Sequence, residues 1–509
     1  MRGQLRQSIG MAFHVMRIRL GLEAKAYQRG AKEPVIWDTS LLVNAHTLLC
    51  GMSGSGKTFT LRKMISHMLQ TCDNEVPRIH VFDVHGDIEI PGASTVKFSE
   101  RTNYGLNPLR VNGDPHFGGV RKRIQQFMAT MNKVMRSMVP KQEACLRNVL
   151  LDVYTAHGFK LNDPETWVVA SDTPVLLTDG DQNKLFLDVP RGQKDEAKAL
   201  GAKWSGDPIY SWWIPANQYE GAITQWPPKL VSRTHPSIND ALRLAQNILT
   251  SNFLGTGAEA VTYLEVANKA AASYQRKLLA ALRKGQSHLE DEQLTSDLEK
   301  AKTKAIDSFT AYANAIATGA ELSTLMKYDS LDVLKSVVDR LSNLDAIGVF
   351  KSVPPPFDPA AAVWRYNLHA LSLQERKLFV LFKLEEIFMA AVQRGQQEYV
   401  RDVLILDEAH IYSDGSEDNI IGTIAKEGRK FGISCIAASQ SPTHFDDDFV
   451  ASVGTKIILG IDEVFWKGAA TKMRLKEEAL AWVNAQVTMM VQFKMKGETK
   501  NDWIWTVIA

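Results

Sequence analysis

Gly51-Met-Ser-Gly-Ser-Gly-Lys-Thr58 satisfies the phosphate-binding pattern G-x-x-x-x-G-K-[ST] at every fixed position and follows directly on the apolar run Thr47-Leu-Leu-Cys50. This dictates a buried strand, a glycine-rich turn and a helix beginning near Lys57, and so an α/β layer arrangement. Only a glycine-rich turn lets the backbone wrap an anion with its N–H groups pointing inward. The positive end of the helix dipole adds to that field. Lys57 is placed to reach the β- and γ-phosphates of a nucleoside triphosphate, and the Thr58 hydroxyl to ligate Mg²⁺. Gly51, Ser53, Gly54, Ser55 and Gly56 supply the cradle.

Further strand-like runs cluster at both ends of the 509-residue chain: His80–Val84, Val403–Asp407, Ser434–Ser439, Lys456–Gly460, Val487–Phe493 and Trp503–Ile508. Their nearly continuous apolar character predicts strands buried on both faces of a parallel sheet, with the last two as antiparallel additions. Residues 120–157 and 236–345 have helical spacing, and Lys284–Lys304 reads as a charged, solvated hairpin. Residues 184–228 break the pattern, with four of the eleven tryptophans (Trp204, Trp212, Trp213, Trp226) in a strand–helix–strand reading. That block predicts a small inserted domain. Its tryptophans serve either as its core or, beside its lysines, as a surface for single-stranded nucleic acid.

The net charge of +2 neither requires nor excludes a polyanionic partner, but residues 1–32 carry seven Lys/Arg against one acid, Glu23. They read as a basic helix, for nucleic acid or for a solvated face. No apolar run reaches the roughly 18 residues that span a bilayer, and Arg17 and Arg19 interrupt any secretory core. Four dispersed cysteines, with no CxxC pair, fit a reducing, cytoplasmic setting.

Hydrolysis needs an acid at the end of a second buried strand. Val403-Leu-Ile-Leu-Asp-Glu-Ala-His410 supplies Asp407 to position the metal and Glu408 to polarise water as general base. Helix capping would explain Asp407 but not its neighbour. Gln440, after the strand Ser434–Ser439, reads as a γ-phosphate sensor or as a turn residue before Pro442. Arg429, beside Lys430 at a helix end, reads either as a partner of the helix dipole or as an arginine finger reaching a neighbouring subunit. Val81-Phe-Asp-Val-His-Gly-Asp87 puts Asp83 at the carboxyl edge of a strand, where α/β folds bind ligands, with His85 and Asp87 just beyond.

These motifs together resemble the FtsK–HerA superfamily of ring-forming motor ATPases, above all HerA-type translocases and the ATPases of conjugation and type IV secretion. The Asn44-Ala-His46 approach, Asp83-Val-His-Gly-Asp87, the Val403–His410 motif and Gly428-Arg-Lys-Phe-Gly432 leading to Ser439-Gln440 carry the resemblance, and Gly105-Leu-Asn-Pro-Leu109 extends it. Asp87 departs from the commoner Glu. Only 34 residues precede the strand region, too few for the barrel that precedes the motor in HerA. The inserted block resembles a small domain found in plasmid primases.

The resemblance implies a RecA-like core at 35–118 and 352–509, a helical domain at 119–171 and 232–351, and a small α+β insertion at 180–230, after a basic helix at 1–34. Its cofactors would be ATP and Mg²⁺. Lys57, Thr58 and Asp83 would bind nucleotide, Thr58 and Asp407 the metal, and Glu408, Gln440 and a trans-acting Arg429 would serve hydrolysis. The expected assembly is a hexameric ring that moves DNA in a conjugative or mobile-element setting. The alternatives are a secretion-assembly ATPase acting on protein and a nucleotide-switched scaffold or defence-complex subunit.

Overall fold

A computed structural model describes residues 15–71, 76–169, 174–176, 184–205, 211–232, 234–250, 258–283, 292–315, 327–413 and 419–508. The chain divides into two compact units, Met1–Leu106 with Val353–Ala509, and Asn107–Ser352. The sequence reading drew the corresponding borders at 118/119 and 351/352.

The first unit begins with β1 (Arg17–Glu23), β2 (Pro34–Asp38), β3 (Thr47–Cys50), β4 (Arg78–Asp83) and β5 (Ser94–Lys97). The second carries β6 (Pro174–Leu176), β7 (Lys184–Leu187), β8 (Lys203–Ser205), β9 (Ser211–Pro215) and β10 (Leu230–Ser232). The chain then returns with β11 (Val363–Asn367), β12 (Asp402–Leu406), β13 (Ile433–Ser439), β14 (Thr455–Ile458), β15 (Thr488–Phe493) and β16 (Trp503–Val507).

In the first unit these strands form one 11-stranded sheet ordered β2-β1-β16-β15-β14-β3-β13-β12-β4-β11-β5. Every pairing from β14 to β5 is parallel, and every pairing from β14 back to β2 is antiparallel. All seven expected strands form, and β15 and β16 are antiparallel additions. β3, β12 and β13 are buried at every residue, because helices cover both faces of a parallel sheet. The helix Lys57–Thr71 buries Leu61, Met64, Ile65 and Met68, a single stripe at helical spacing, in the core that also holds Ile79, Ile405 and Ile436.

The basic N-terminal helix is a correction. Residues 1–14 lie outside the described residues, and Arg17-Ile-Arg-Leu is strand, with Arg17 and Arg19 exposed and Ile18 and Leu20 buried. Alternation of apolar and charged residues has period two, the strand period, so the arginines occupy a solvated face. Among the described residues before β2, only Ala24–Gln28 is α-helical. Gly21 sits where β1 meets β16, and a Cβ there would lie 2.3 Å from the Val507 carbonyl oxygen.

The second unit contains the helices Val120–Val134, Pro140–Ala156, Ile238–Ile248, Ala258–Arg283, Glu292–Ala315 and Leu331–Ala346. Of the expected hairpin at 284–304, residues 284–291 lie outside the described residues and the remainder is helix. The insert is a three-stranded antiparallel sheet, β7-β9-β8, with the helix Lys194–Ala199 between β7 and β8. Trp204 lies on β8. Immediately outside the insert, β6 and β10 pair antiparallel, Leu176 opposite Leu230.

Candidate nucleotide-binding site

The turn after β3 and the ends of β4, β12 and β13 meet at the carboxyl edge of the parallel sheet. Gly54 (φ +78°) and Gly56 (φ +97°) both take the left-handed region that glycine enters without Cβ strain. The turn opens on a cavity of about 490 Å³ lined by Ser53, Gly54, Gly56, Lys57, Thr58 and Asp87, and by Asp407, Glu408, Gln440 and Gln486. Lys57 Nζ donates to the carbonyl oxygens of Gly51 (2.7 Å) and Met52 (3.3 Å) and lies 3.9 Å from Glu408 Oε1. The loop's own carbonyls and the Glu408 carboxylate thus hold the ammonium at the mouth of the turn.

Glu408 is the most unusual residue of the site. It is buried and left-handed (φ +47°), a conformation that costs a non-glycine residue about 1–2 kcal/mol. Its Oε2 accepts no hydrogen bond, although His410 Nδ1 lies 3.2 Å away, and His85 Nε2 lies 3.8 Å from Oε1. Burial of such a strained, under-bonded carboxylate fits a base positioned to take a proton from water. Burial lowers the His410 pKa below its ordinary value, so that ring is neutral at pH 7.

Burial, and then the adjoining Glu408 carboxylate, push Asp407 up to about 6. The side-chain oxygens of Asp83, Asp87 and Asp407 include a set within 4.8 Å of one another, and Thr58 Oγ1 donates to Asp87 Oδ2 at 3.3 Å. Hard oxygen donors at a phosphate cavity are what Mg²⁺ takes. Thr58, Asp87 and Asp407 are the residues that could hold it.

Four expected site residues, Gly51, Ser55, Asp83 and Arg429, do not line the cavity. Gly51 acts through its carbonyl on Lys57, and the Ser55 hydroxyl is buried without a partner. Asp83 is buried beneath the turn, accepting from the backbone N–H groups of Gly86 (2.7 Å) and Ile88 (3.0 Å) and from Arg365 Nε (2.8 Å). With its oxygens so engaged, Asp83 fixes the loop bearing His85 and Asp87; it does not reach into the cavity. Gln440 is exposed at the end of β13 and does line it.

Arg429 also lies elsewhere. It precedes β13 at the sheet's amino edge, next to Gly428, which sits against the buried His46 ring. The seven residues of β13 separate it from Gln440 by about 20 Å at 3.3 Å per residue. The Asn44-Ala-His46 approach is structural at this edge: Asn44 Oδ1 accepts from Gly454 N (2.8 Å), and His46 Nδ1 accepts from Cys435 N (3.1 Å).

Sequence reasoning missed Gln486 and Arg365. Gln486, left-handed at φ +65°, donates from Nε2 to the Gly54 carbonyl at 2.8 Å from 432 positions away. No local pattern flags it. Asp87 was visible in the motif but had no assigned role.

The fold and site define a P-loop nucleotide-binding protein with a RecA-like α/β core. Residues 27–114 match the family of helicase HerA central domains, and residues 184–228 match a domain of unknown function (DUF5710). A stretch of 63 residues is 43% identical to the DNA double-strand break repair helicase HerA of Pyrococcus furiosus, covering 12% of this chain and 11% of that protein. A 65-residue stretch is likewise 43% identical to the probable HerA of Methanocaldococcus jannaschii, covering 12% and 13%. The chain thus matches only about a tenth of these relatives' length. The solved structure of VirB4 of Thermoanaerobacter pseudethanolicus superposes over 97% of this chain and 96% of that one, at 14% identity and a TM-score of 0.52, a likeness of fold. These similarities bear out the resemblance to P-loop ATPases of the FtsK–HerA type. No described helix is long and apolar enough to cross a membrane.

Proposed function

We propose that this protein hydrolyses ATP as a ring of identical subunits, a hexamer, and uses the energy to move DNA. The reading is carried by one arrangement: a HerA-like P-loop segment with base, sensor and metal donors around one cavity, and a candidate finger at the opposite sheet edge. Lys57 binds the β- and γ-phosphates. Glu408 takes a proton from the attacking water, which Gln440 orients. Mg²⁺, held by Thr58, Asp87 and Asp407, would neutralise charge on the phosphates when bound. Arg429 lies too far from its own subunit's cavity to act there, so it completes the site of a neighbour. A closed ring supplies such a neighbour to every subunit.

The DNA track rests on the HerA likeness, and the conjugative or mobile-element setting on the insert. Steady-state phosphate release, with and without single- and double-stranded DNA, on protein sized by light scattering, tests the proposal. The expected result is a hexameric mass with DNA-stimulated turnover. ATP turnover in a ring indifferent to both DNA forms would refute the DNA track and favour a protein-moving ATPase. ATP binding with negligible turnover would favour the switched scaffold.

A further inference from the structure

The insert's tryptophans divide into two groups. Trp226 is 2% exposed in the module's own core with Leu187, Ala197, Ala202, Ile214 and Ile223, and Trp212 packs against that core. Trp213 and Trp204 do not belong to it. Cross-strand partners share a face, so Trp213 stands with Lys203, its partner on β8, and with Lys184 two residues from its partner Phe186 on β7. Both ammonium groups lie over the Trp213 ring, Lys184 Nζ at 4.8 Å from its centroid and Lys203 Nζ at 5.6 Å. Trp204, the cross-strand partner of Trp212, lies on the opposite face at edge strand β8, where it is 53% exposed and meets Trp212 edge-on at 5.5 Å.

A module with so small a core gains little by leaving Trp213 on the face away from it. An indole between two lysines matches a repeating ligand of one flat ring per negative charge. Such a ligand stacks its ring on the indole while its phosphates draw the ammonium groups. Paired bases in a duplex are already stacked on one another and cannot offer a free face.

We propose that the face of the β7-β9-β8 sheet that carries Trp213 binds a single-stranded polynucleotide, with a base stacked on Trp213 and phosphates on Lys184 and Lys203. The proposal extends the DNA-motor reading by naming an element that grips the strand. It does not depend on hydrolysis, so the two can fail separately.

The test uses the full chain carrying Lys57→Ala, so that turnover plays no part, and fluorescently labelled oligo(dT), oligo(U) and a duplex of equal length. Anisotropy titrations are run at several salt concentrations. Both single strands are expected to bind more tightly than the duplex, and a preference between them assigns DNA or RNA as the ligand. Trp213→Ala should weaken single-strand binding by about five- to a hundredfold, the loss of one stacked base. Trp213→Phe should recover most of it. Replacing Lys184 and Lys203 by Gln should flatten the logarithmic salt slope by about 1.4, the value for two phosphate contacts on a single strand.

Circular dichroism and thermal unfolding verify that each variant is folded. If Trp213→Ala unfolds the module, the replacements of Lys184 and Lys203, which keep the indole in place, carry the test. The proposal is overturned if folded variants bind single strands like the parent, or if the duplex binds as tightly and equally regardless of Trp213. With Lys57 intact, DNA-stimulated ATPase together with single-strand binding unaffected by these substitutions would uphold the motor and reject the grip.

Discussion

Arg365 clamps Asp83 with both ends of its guanidinium: Nε lies 2.8 Å and a terminal nitrogen 2.7 Å from the same carboxylate oxygen, and that terminal nitrogen also donates to the Gly86 carbonyl at 2.7 Å. The pair is buried and joins β11 to the loop after β4, which presents Asp87 to the phosphate cavity. Removing one partner of a buried pair strands the other charge, at a cost of about 3–5 kcal/mol. Arg365→Met should therefore lower stability by that amount in urea unfolding and weaken nucleotide binding as a consequence. If Arg365→Met keeps the parent's stability while its nucleotide affinity falls, Asp83 acts on the ligand directly.

Glu408 combines strain with function, so stability and activity should move in opposite directions when it is replaced. Glu408→Gly removes the cost of the left-handed backbone and the repulsion from Asp407 that raises the latter's pKa. We expect the nucleotide-free protein to gain up to about 1 kcal/mol while turnover falls at least ~10²-fold, the scale of a lost general base. Glu408→Gln should lose the same activity with a smaller gain in stability, since it relieves the repulsion from Asp407 but keeps the left-handed backbone, and Lys57→Ala should lose binding itself. Parental turnover in Glu408→Gln would remove Glu408 from the mechanism.

What was legible follows from how local each signal is. Strands buried on both faces announce themselves as apolar runs, and the P-loop, Asp407, Glu408 and Gln440 sit directly at their ends. β11 escaped because Arg365 interrupts it, and the sequence could not show the charge neutralised by Asp83, 282 positions away. β1 was misread because regularly spaced arginines suggest a basic helix unless their period of two is given weight. Gln486 reaches the P-loop only through tertiary folding. Arg429 was identified in the sequence, but its separation from the cavity by the length of β13 is a fact of topology.

His46 gives the sheet a pH dependence of defined sign. Burial, and secondarily the positive charge of Arg429, lower its pKa to about 4, while the unfolded chain titrates near 6.5. The unfolded state therefore binds more protons between these values. The stabilisation is complete above pH 6.5 and is lost as pH falls toward 4. At 1.36 kcal/mol per pH unit this amounts to roughly 3 kcal/mol. His46→Gln should flatten that part of the curve in urea unfolding at pH 7, 6, 5 and 4.5. Parallel curves for the two proteins would show that His46 does not carry the dependence.

The insert should be removable at its stem. Antiparallel pairing of Leu176 with Leu230 and Val175 with Val231 brings the two ends of the excised segment within the spacing of neighbouring strands, about 5 Å. Replacing residues 178–228 by a short Gly/Ser turn asks the chain to close a gap that the fold already closes. We expect a soluble protein that binds ATP within a fewfold of the parent's affinity and has lost single-strand affinity. Insolubility, or loss of nucleotide binding, would mean that the module is needed to fold the rest.

Arg429→Ala should leave ATP binding intact and depress hydrolysis by about 10³-fold or more, because a finger acts on charge that develops in a neighbour's transition state. The amino-edge position of Arg429 makes mixing decisive. Combining Arg429→Ala subunits with Glu408→Gln subunits creates interfaces that present an intact Glu408 on one side and an intact Arg429 on the other. If the site is shared, those interfaces hydrolyse ATP although neither protein does so alone, and recovered activity rises with the fraction of mixed neighbours before falling again. A role confined to the helix end beside Gly428 predicts instead a less stable Arg429→Ala protein and no recovery at any ratio. Energy transfer between differently labelled subunits reports whether mixed rings have formed. Mixed rings with no activity above that of the separate variants would rule out the shared site.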